Sequence, residues 1–231
     1  MKPIAHIYTD FKTKFGLPRQ SGLIEEITGK IVFEKEYSIA EAFKGLEDFS
    51  HIWILWEFSE AKKETWKPTV RPPLLGGNKR MGVFATRSPF RPNSIGLSCV
   101  KLEKIDYDKT LGTVLCVSGC DLMNGTPVYD IKPYLSYCDS KPDAKCGFTE
   151  SLGERKLEVN INEELLGKVP EEKRTELLGV LRGDPRPSYQ DDPHREYGFR
   201  FADLEIGFKV ENKFLTVTKV DIVKKIIQKL N

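Results

Sequence analysis

Ten polar side chains in this chain could do chemistry together: Arg19, Gln20, Arg71, Asn78, Arg80, Arg87, Arg91, Asn93, Asp121 and Asp130. All fall in or beside glycine- and proline-marked loops. Arginine offers a planar fork that pairs a carboxylate bidentately. A buried aspartate can receive an ammonium or a sulfonium. Such a mixed set suits a zwitterionic small molecule. The cations outnumber the acids, which suits a phosphate backbone nearby, and Phe90 and Tyr134 offer ring faces for a base.

The elements that must position these groups centre on Trp66–Val100. From Lys62 to Arg91 the chain carries Lys62, Lys63, Lys67, Arg71, Lys79, Arg80, Arg87 and Arg91 against one acid, Glu64. Pro68, Pro72, Pro73, Pro89 and Pro92 fix the backbone and remove donors. Arg87 and Arg91 flank Ser88-Pro89-Phe90 and are therefore held rather than loose. Met81–Thr86 reads as a strand that anchors the loops on either side. The Arg87–Leu97 part is expected to face the small molecule and the Lys62–Arg80 part to face nucleic acid.

Strands are expected at 2–8, Gly29–Phe33, His51–Phe58, Ile95–Ile105, Thr110–Gly119 and Val128–Leu135. The third, HIWILWEF, is apolar enough to be buried on both faces. Ser38 with Glu41 three residues on has capping-box spacing and predicts a short helix to Gly45. Asp106–Lys109 predicts a hairpin turn. Asp130, Lys132 and Tyr134 alternate onto one face of the last strand. The expected fold is mainly β: an N-terminal barrel of six to seven strands over 1–138, a linker over 139–155, and a smaller α+β C-terminal domain over 156–231. That second unit is expected to hold a strand at Lys156–Ile161, an amphipathic helix at Glu171–Arg182, and a hairpin of Phe199–Val210 with Lys213–Val223. Its basic and acidic residues balance, so it contacts nucleic acid, if at all, through particular side chains such as Arg186 and Tyr189.

Net charge is +2 over 231 residues, so nothing global demands a polyanion. The start MKPIAHIYTDF has no apolar signal core, and no apolar run approaches membrane-spanning length, so a cytoplasmic protein is expected. The five cysteines form no CxxC pair and no zinc spacing with the three histidines; reduced structural thiols are expected and no metal. Glycine-rich dinucleotide and phosphate loops and a GxSxG nucleophile motif are absent. From the residues alone, a ligand-binding barrel with an RNA-facing rim remains.

Five motifs carry a resemblance: FGLPRQSGL (15–23), DFSHIWILWEF (48–58), RPPLLGGNKRMGVFATRSPFRPNSIGLS (71–98), DLMNGTPVYDIKPY (121–134) and GDPRPSY (183–189). Together they resemble the TsaA-like, or TrmO, family of S-adenosylmethionine-dependent tRNA methyltransferases, which are built on a β-barrel rather than a Rossmann sheet. The resemblance implies methylation of N6 of threonylcarbamoyladenosine at tRNA position 37, and a homodimer with the cofactor near the subunit interface. Carried over by position, S-adenosyl-L-methionine would meet Pro18, Arg19, Gln20, Ser59, Glu60, Arg87, Leu97, Asp121, Leu122, Met123 and Asn124. The family often has histidine where Ser59 stands, so a backbone contact is expected there. Asp130 or Tyr134 is expected near the proton to be removed, with Arg87 or Arg91 orienting cofactor or acceptor. Arg71, Lys79, Arg80, Arg186 and Tyr189 are expected at tRNA. A non-catalytic RNA-binding barrel and a methyltransferase for another acceptor stand as alternatives.

Overall fold

The computed structural model describes residues 1–61, 65–150, 156–186 and 192–223. Lys62, Lys63, Glu64 and Tyr189 lie outside them. The N-terminal half contains β1 (Ala5–Tyr8), β2 (Thr28–Phe33), β3 (His51–Glu57), β4 (Thr69–Val70), β5 (Met81–Gly82), β6 (Ile95–Asp108), β7 (Gly112–Ser118), β8 (Thr126–Pro133) and a single helical turn, α1 (Ser136–Asp139). Six of these strands close a barrel in the order β1-β2-β7-β6-β3-β8, every pair antiparallel. Strand alternation sends Ile7, Ile31, Ile52, Ile54, Trp56, Val100, Leu115 and Val128 inward, where they are buried. A six-strand barrel is narrow enough for these side chains to fill. Ligand chemistry therefore belongs on its rim or outer face.

The strand β3 departs from the expectation of two buried faces. Ile52, Ile54 and Trp56 are buried, whereas His51, Trp53, Leu55 and Glu57 are half-buried on the outside. Antiparallel closure gives the strand one inner face only, so its apolar outer side chains mark a surface. The expected strand at Met81–Thr86 stops at Gly82, and Val83–Ala85 forms a 3-10 turn closed by Thr86 Oγ1 donating to Val83 O at 2.8 Å. The Ser38 helix is likewise a single 3-10 turn, Ala40–Phe43. Ser38 Oγ is not a cap: it accepts from Thr113 N of β7. Phe43 then packs edge-on against Phe33 at 4.7 Å. The hairpin turn falls two residues later than expected, because Asp108 rather than Asp106 makes the side-chain turn, accepting from Thr110 N at 2.7 Å and Leu111 N at 2.8 Å.

The C-terminal part adds β9 (Glu158–Asn160), α2 (Glu163–Gly167), α3 (Glu171–Arg182), β10 (Tyr197–Phe201), β11 (Leu204–Glu211) and β12 (Phe214–Ile222). The sheet order is β10-β11-β12-β9, with β9 parallel to β12. Glu171 and Glu172 open α3 and Arg182 closes it, each on the side the helix dipole favours. Leu177, Val180 and Leu181 make its buried face. The expected strand Phe199–Val210 is two strands, β10 and β11, because Ala202 takes φ 51° and turns the chain. No glycine or proline announces that turn; its N–H is held instead by Asp10 O at 2.9 Å.

That bond is one of several joining the two halves. Phe11 meets Phe201 edge-on at 5.7 Å. Asp10 pairs with Lys173, and Lys12 with Asp203 at 2.8 Å. Ile24 approaches Gly179 and Gly183 on the α3 side. Phe11, Ile24, Leu177 and Phe201 belong to one continuous apolar core, so the halves are packed together rather than strung on a linker.

Gly96 leaves no room for a side chain beside Trp56: a Cβ at Gly96 would lie 2.3 Å from the indole Cε2. Gly96→Ala should therefore lower unfolding free energy by about 1–3 kcal/mol. Gly82→Ala, where nothing lies within 4 Å, should stay within about 0.5 kcal/mol of wild type. Urea unfolding of both variants checks the contrast.

Candidate active site

Between Ile95 and Val100, β6 pairs with β3 on one side, while β7 joins it only from Lys101 onward. The open edge is closed by the loop around Ser21. Ser21 Oγ accepts from Cys99 N at 3.1 Å, and Gly22 N donates to Gly119 O at 2.9 Å. This closure carries Pro18, Arg19 and Gln20 to the barrel rim. There Arg87 Nη1 donates to Gln20 Oε1, and Gln20 Nε2 donates to the Arg19 carbonyl.

Asp121 lies in the same cluster. Its Oδ1 accepts from Ser98 Oγ at 2.6 Å, and Ser98 Oγ accepts from Trp56 Nε1 at 2.9 Å. Burial pushes the Asp121 carboxyl above the ordinary aspartate range; the Ser98 hydroxyl, backbone N–H groups including Ser21, and the Arg87 charge oppose that push. A hydrogen-bonded chain thus runs from the barrel interior to the rim arginine's electrostatic field. The rest of this loop is tied to β1 and its exit. Thr9 Oγ1 donates to Leu122 O at 3.0 Å, Thr9 N donates to Asn124 Oδ1 at 3.2 Å, and Asn124 N donates to Phe11 O at 2.8 Å. The Leu122 side chain is fully buried, so that residue presents only backbone. Met123 O is taken by Thr126 Oγ1 at 2.7 Å.

Leu97 projects outward and is 52% exposed. It stands opposite Leu55, and Leu55 stands opposite Asp130. Leu97, Leu55 and Asp130 therefore form one row on the outer face, spanning two strand spacings or roughly 10 Å. Asp130 is half-buried and pairs with Lys132 at 2.8 Å. Ser59 and Glu60 are exposed at the start of the turn that follows β3, beside Phe58, whose N–H donates to Ser94 O at 2.9 Å.

Other predicted residues fall elsewhere. Tyr134 follows β8, and its N–H donates to His51 O at 3.0 Å. That is four β3 residues from the Leu55 row, roughly 13 Å along the strand. Its ring lies 6.3 Å from His51 and 6.0 Å from Trp53. Arg91 is a brace: it donates to Thr86 O at 2.6 Å and Val83 O at 3.1 Å and lies over Phe84 at 5.5 Å. It shapes the turn that presents Arg87. Arg71, Lys79 and Arg80 are exposed on the β4–β5 hairpin, where Arg80 donates to Thr69 Oγ1 at 2.9 Å. Arg186 forks onto Asp184 at 2.8 and 2.9 Å with its side chain 9% exposed, so those donors hold its own loop.

Sequence reasoning missed Ser98, Ser21 and Thr9. Ser98 had a signal: a polar residue at an inward position of IGLSCV. Ser21 and Thr9 had none, because they act through loop-to-strand bonds that only the closed barrel creates. Tyr129 was missed too. Its hydroxyl donates to Glu57 Oε2 at 2.6 Å, and burial together with that carboxylate pushes the phenol up to about 12. Cys120 is fully buried with its thiol pushed up by desolvation, which suits a packing role. Among the described residues no group of His, Cys, Asp and Glu could hold a metal ion.

A closed antiparallel barrel with an arginine, a glutamine and a buried aspartate clustered on its rim is not a Rossmann fold. The model of the tRNA-methyltransferase O N-terminal domain matches residues 6–140, and that of the TrmO C-terminal domain matches 154–223. The chain belongs to the TrmO family. It is 41% identical over 215 residues to the tRNA (adenine(37)-N6)-methyltransferase of Escherichia coli (strain K12), covering 90% of this chain and 91% of that one. With the protein of the same name from Eikenella corrodens it shares 44% over 177 residues, 76% of this chain and 99% of the other. A crystal structure of TrmO from Pseudomonas aeruginosa superposes with a TM-score of 0.74 at 32% identity, covering 95% of this chain and 97% of that one.

Asp121 gives a pH test of the site. Its folded-state pKa is raised, so its contribution to stability is present in acid and is lost as pH rises through the folded value. Asp121→Asn, which keeps an acceptor for Ser98, should melt above wild type at neutral pH, with the gain vanishing towards pH 4. Thermal melts between pH 4 and 8 check the sign.

Proposed function

We propose that this protein transfers a methyl group from S-adenosyl-L-methionine to N6 of adenine 37 in tRNA, with threonylcarbamoyladenosine as the base it meets there. The observation that carries this reading is end-to-end similarity to relatives bearing that activity in their names, across both domains. The rim chemistry agrees with it. The cofactor's carboxylate suits the forks of Arg19 and Arg87, its ammonium suits Asp121, and its apolar parts suit Pro18 and exposed Leu97. Gln20, Ser59 and Glu60 offer polar and backbone contacts around them. Leu122, Met123 and Asn124 contribute through a loop whose backbone is fixed by Thr9 and Phe11.

The bound cofactor supplies a sulfonium-activated methyl group, and its in-line transfer makes positioning the main task. The acceptor nitrogen sits in a urea-like group with an acidified proton. Asp130 is our candidate for accepting that proton, since it shares the outer row with Leu97; Tyr134, the other candidate, stands farther along β3. The exposed β4–β5 cations Arg71, Lys79 and Arg80 are our candidates for phosphate contact. Arg186, whose fork holds Asp184, would support tRNA recognition only indirectly. Exposed Leu97 and Ile95 beside half-buried Leu55 and Trp53 support a homodimer through this apolar outer face. Among the described residues no helix is long and apolar enough to cross a membrane, and all five cysteines are free; we place the enzyme in the cytoplasm with its tRNA.

Arg87→Ala should weaken S-adenosylmethionine binding by calorimetry on the order of 10–100-fold, the loss of a charge-assisted pair. Asp130→Asn should bind cofactor normally but slow single-turnover methylation about 10²–10⁴-fold; full activity at every pH would remove Asp130 as the base. Arg71→Ala and Arg80→Ala should each flatten the log–log salt dependence of tRNA affinity by about one unit. For the reaction itself, mass spectrometry of tRNA nucleosides from a strain lacking the gene should show loss of the N6-methyl product. An unchanged nucleoside profile points to another acceptor, and absence of cofactor binding to a non-catalytic RNA-binding barrel.

A further inference from the structure

The loop from Asp10 to Ser21 is gripped at both ends by different parts of the molecule. Its last residues form the rim cluster: Gln20 with Arg87, and Ser21 with β6. Its first residues are gripped by the C-terminal domain. Ala202 N donates to Asp10 O at 2.9 Å, Lys173 of α3 pairs with the Asp10 carboxylate, and Lys12 reaches Asp203 at 2.8 Å. Phe11 is fully buried against Phe201. Gly16 lies against the Phe199 ring. With φ at +82°, Gly16 holds a conformation that side chains disfavour, and a Cβ there would lie 2.3 Å from the ring Cδ2. Gln20 stands four positions after this contact, at most about 14 Å of chain. Pro18 between them fixes a backbone angle and limits how the intervening chain can absorb a shift.

We propose that the C-terminal domain positions the cofactor loop, with the Phe199–Gly16 contact as the joint that sets where Arg19 and Gln20 stand relative to Arg87. The proposal rests on the reading that this loop binds S-adenosylmethionine. Phe199 is a positioning residue: it touches the loop, not the reacting groups. Two features separate this from generic domain packing. Glycine at the joint permits a backbone-to-ring approach that any side chain blocks. And the turn that supplies the partner bond to Asp10 holds Ala202 in the left-handed region, a conformation alanine adopts only when its surroundings compel it.

The test uses the full chain and S-adenosylhomocysteine as the probe. Gly16→Ala, Phe199→Ala and Phe199→Leu are compared with Leu215→Ala, a fully buried β12 residue in the same domain. Gly16→Ala and Phe199→Ala should weaken probe binding on the order of 10–100-fold, as a displacement near 1 Å in a positioning element does. They should raise KM for the methyl donor while leaving KM for tRNA within about twofold. Phe199→Leu, which keeps an apolar body under Gly16, should recover most of the affinity. Leu215→Ala should lower the melting temperature yet bind the probe as wild type does. If Phe199→Ala does not fold, Gly16→Ala decides alone. Folded Gly16→Ala with wild-type probe affinity overturns the proposal, as does Leu215→Ala losing as much affinity as the joint variants. Wild-type protein that binds no probe overturns the cofactor reading and the proposal with it, whereas joint variants that bind normally leave that reading intact.

Discussion

The Asp121 carboxylate is the constraint around which the rim is built. A buried acid must be hydrogen-bonded or neutralised, because desolvation disfavours its charge. Here the compensation comes from three separate pieces of chain: Ser98 on β6, the backbone at Ser21, and the field of Arg87. Satisfying one carboxylate therefore pins the β6 edge, the 18–22 loop and the arginine turn to one another. Trp56 extends the tie inward through Ser98, so rim and barrel core share one hydrogen-bonded line. The Asp121 charge raises the folding cost of this cluster, and the same charge is what an incoming ammonium would neutralise.

The barrel itself contributes rigidity rather than a cavity. Its interior is filled by isoleucine, leucine, valine and Trp56, so a ligand sits on its rim or outer face. Rim and apolar outer face meet around β6 and β3. The Ile95–Val100 edge is free of β7, and the β3 exterior carries Trp53 and Leu55. A free edge is a hazard in a sheet. Here the Ser21 loop covers it, with Ser21 Oγ accepting from Cys99 N.

Strand and barrel character were legible in the sequence because period-2 apolar alternation survives folding unchanged. Helix α3 was legible for the same reason: its 3.6-residue pattern and flanking Pro170 and Gly183 are local signals. The failures were non-local. Ser38 has capping spacing, yet its hydroxyl is captured by Thr113, which lies 75 residues away in sequence. Ala202 turns a strand with no glycine or proline because Asp10, from the other domain, supplies the bond. In the site, Arg87 with Gln20 and Asp121 were nameable as candidates from their chemistry and from motif resemblance. Ser21 and Ser98, which hold them, were not, since a serine's role depends on the partner that the fold brings. Arg91 and Arg186 show the converse: cations suited to a ligand are used by their own loops.

Asp130 poses the remaining physical question, since a half-buried carboxylate paired to Lys132 is well hydrated in the isolated chain. Proton abstraction gains from a site that excludes water, because electrostatic interactions strengthen there. Among the described residues, the row Leu97–Leu55–Asp130 is open on its outer side, with Leu97 52% exposed. Something must cover that face for Asp130 to act as a base, and the apolar character of Leu97, Ile95, Leu55 and Trp53 suits either a second copy or the splayed base itself. On the reading proposed above, the chemistry is therefore assembled rather than preformed. The barrel and C-terminal domain fix the donor loop, and the acceptor side becomes complete only when another surface closes over the β6-β3-β8 face.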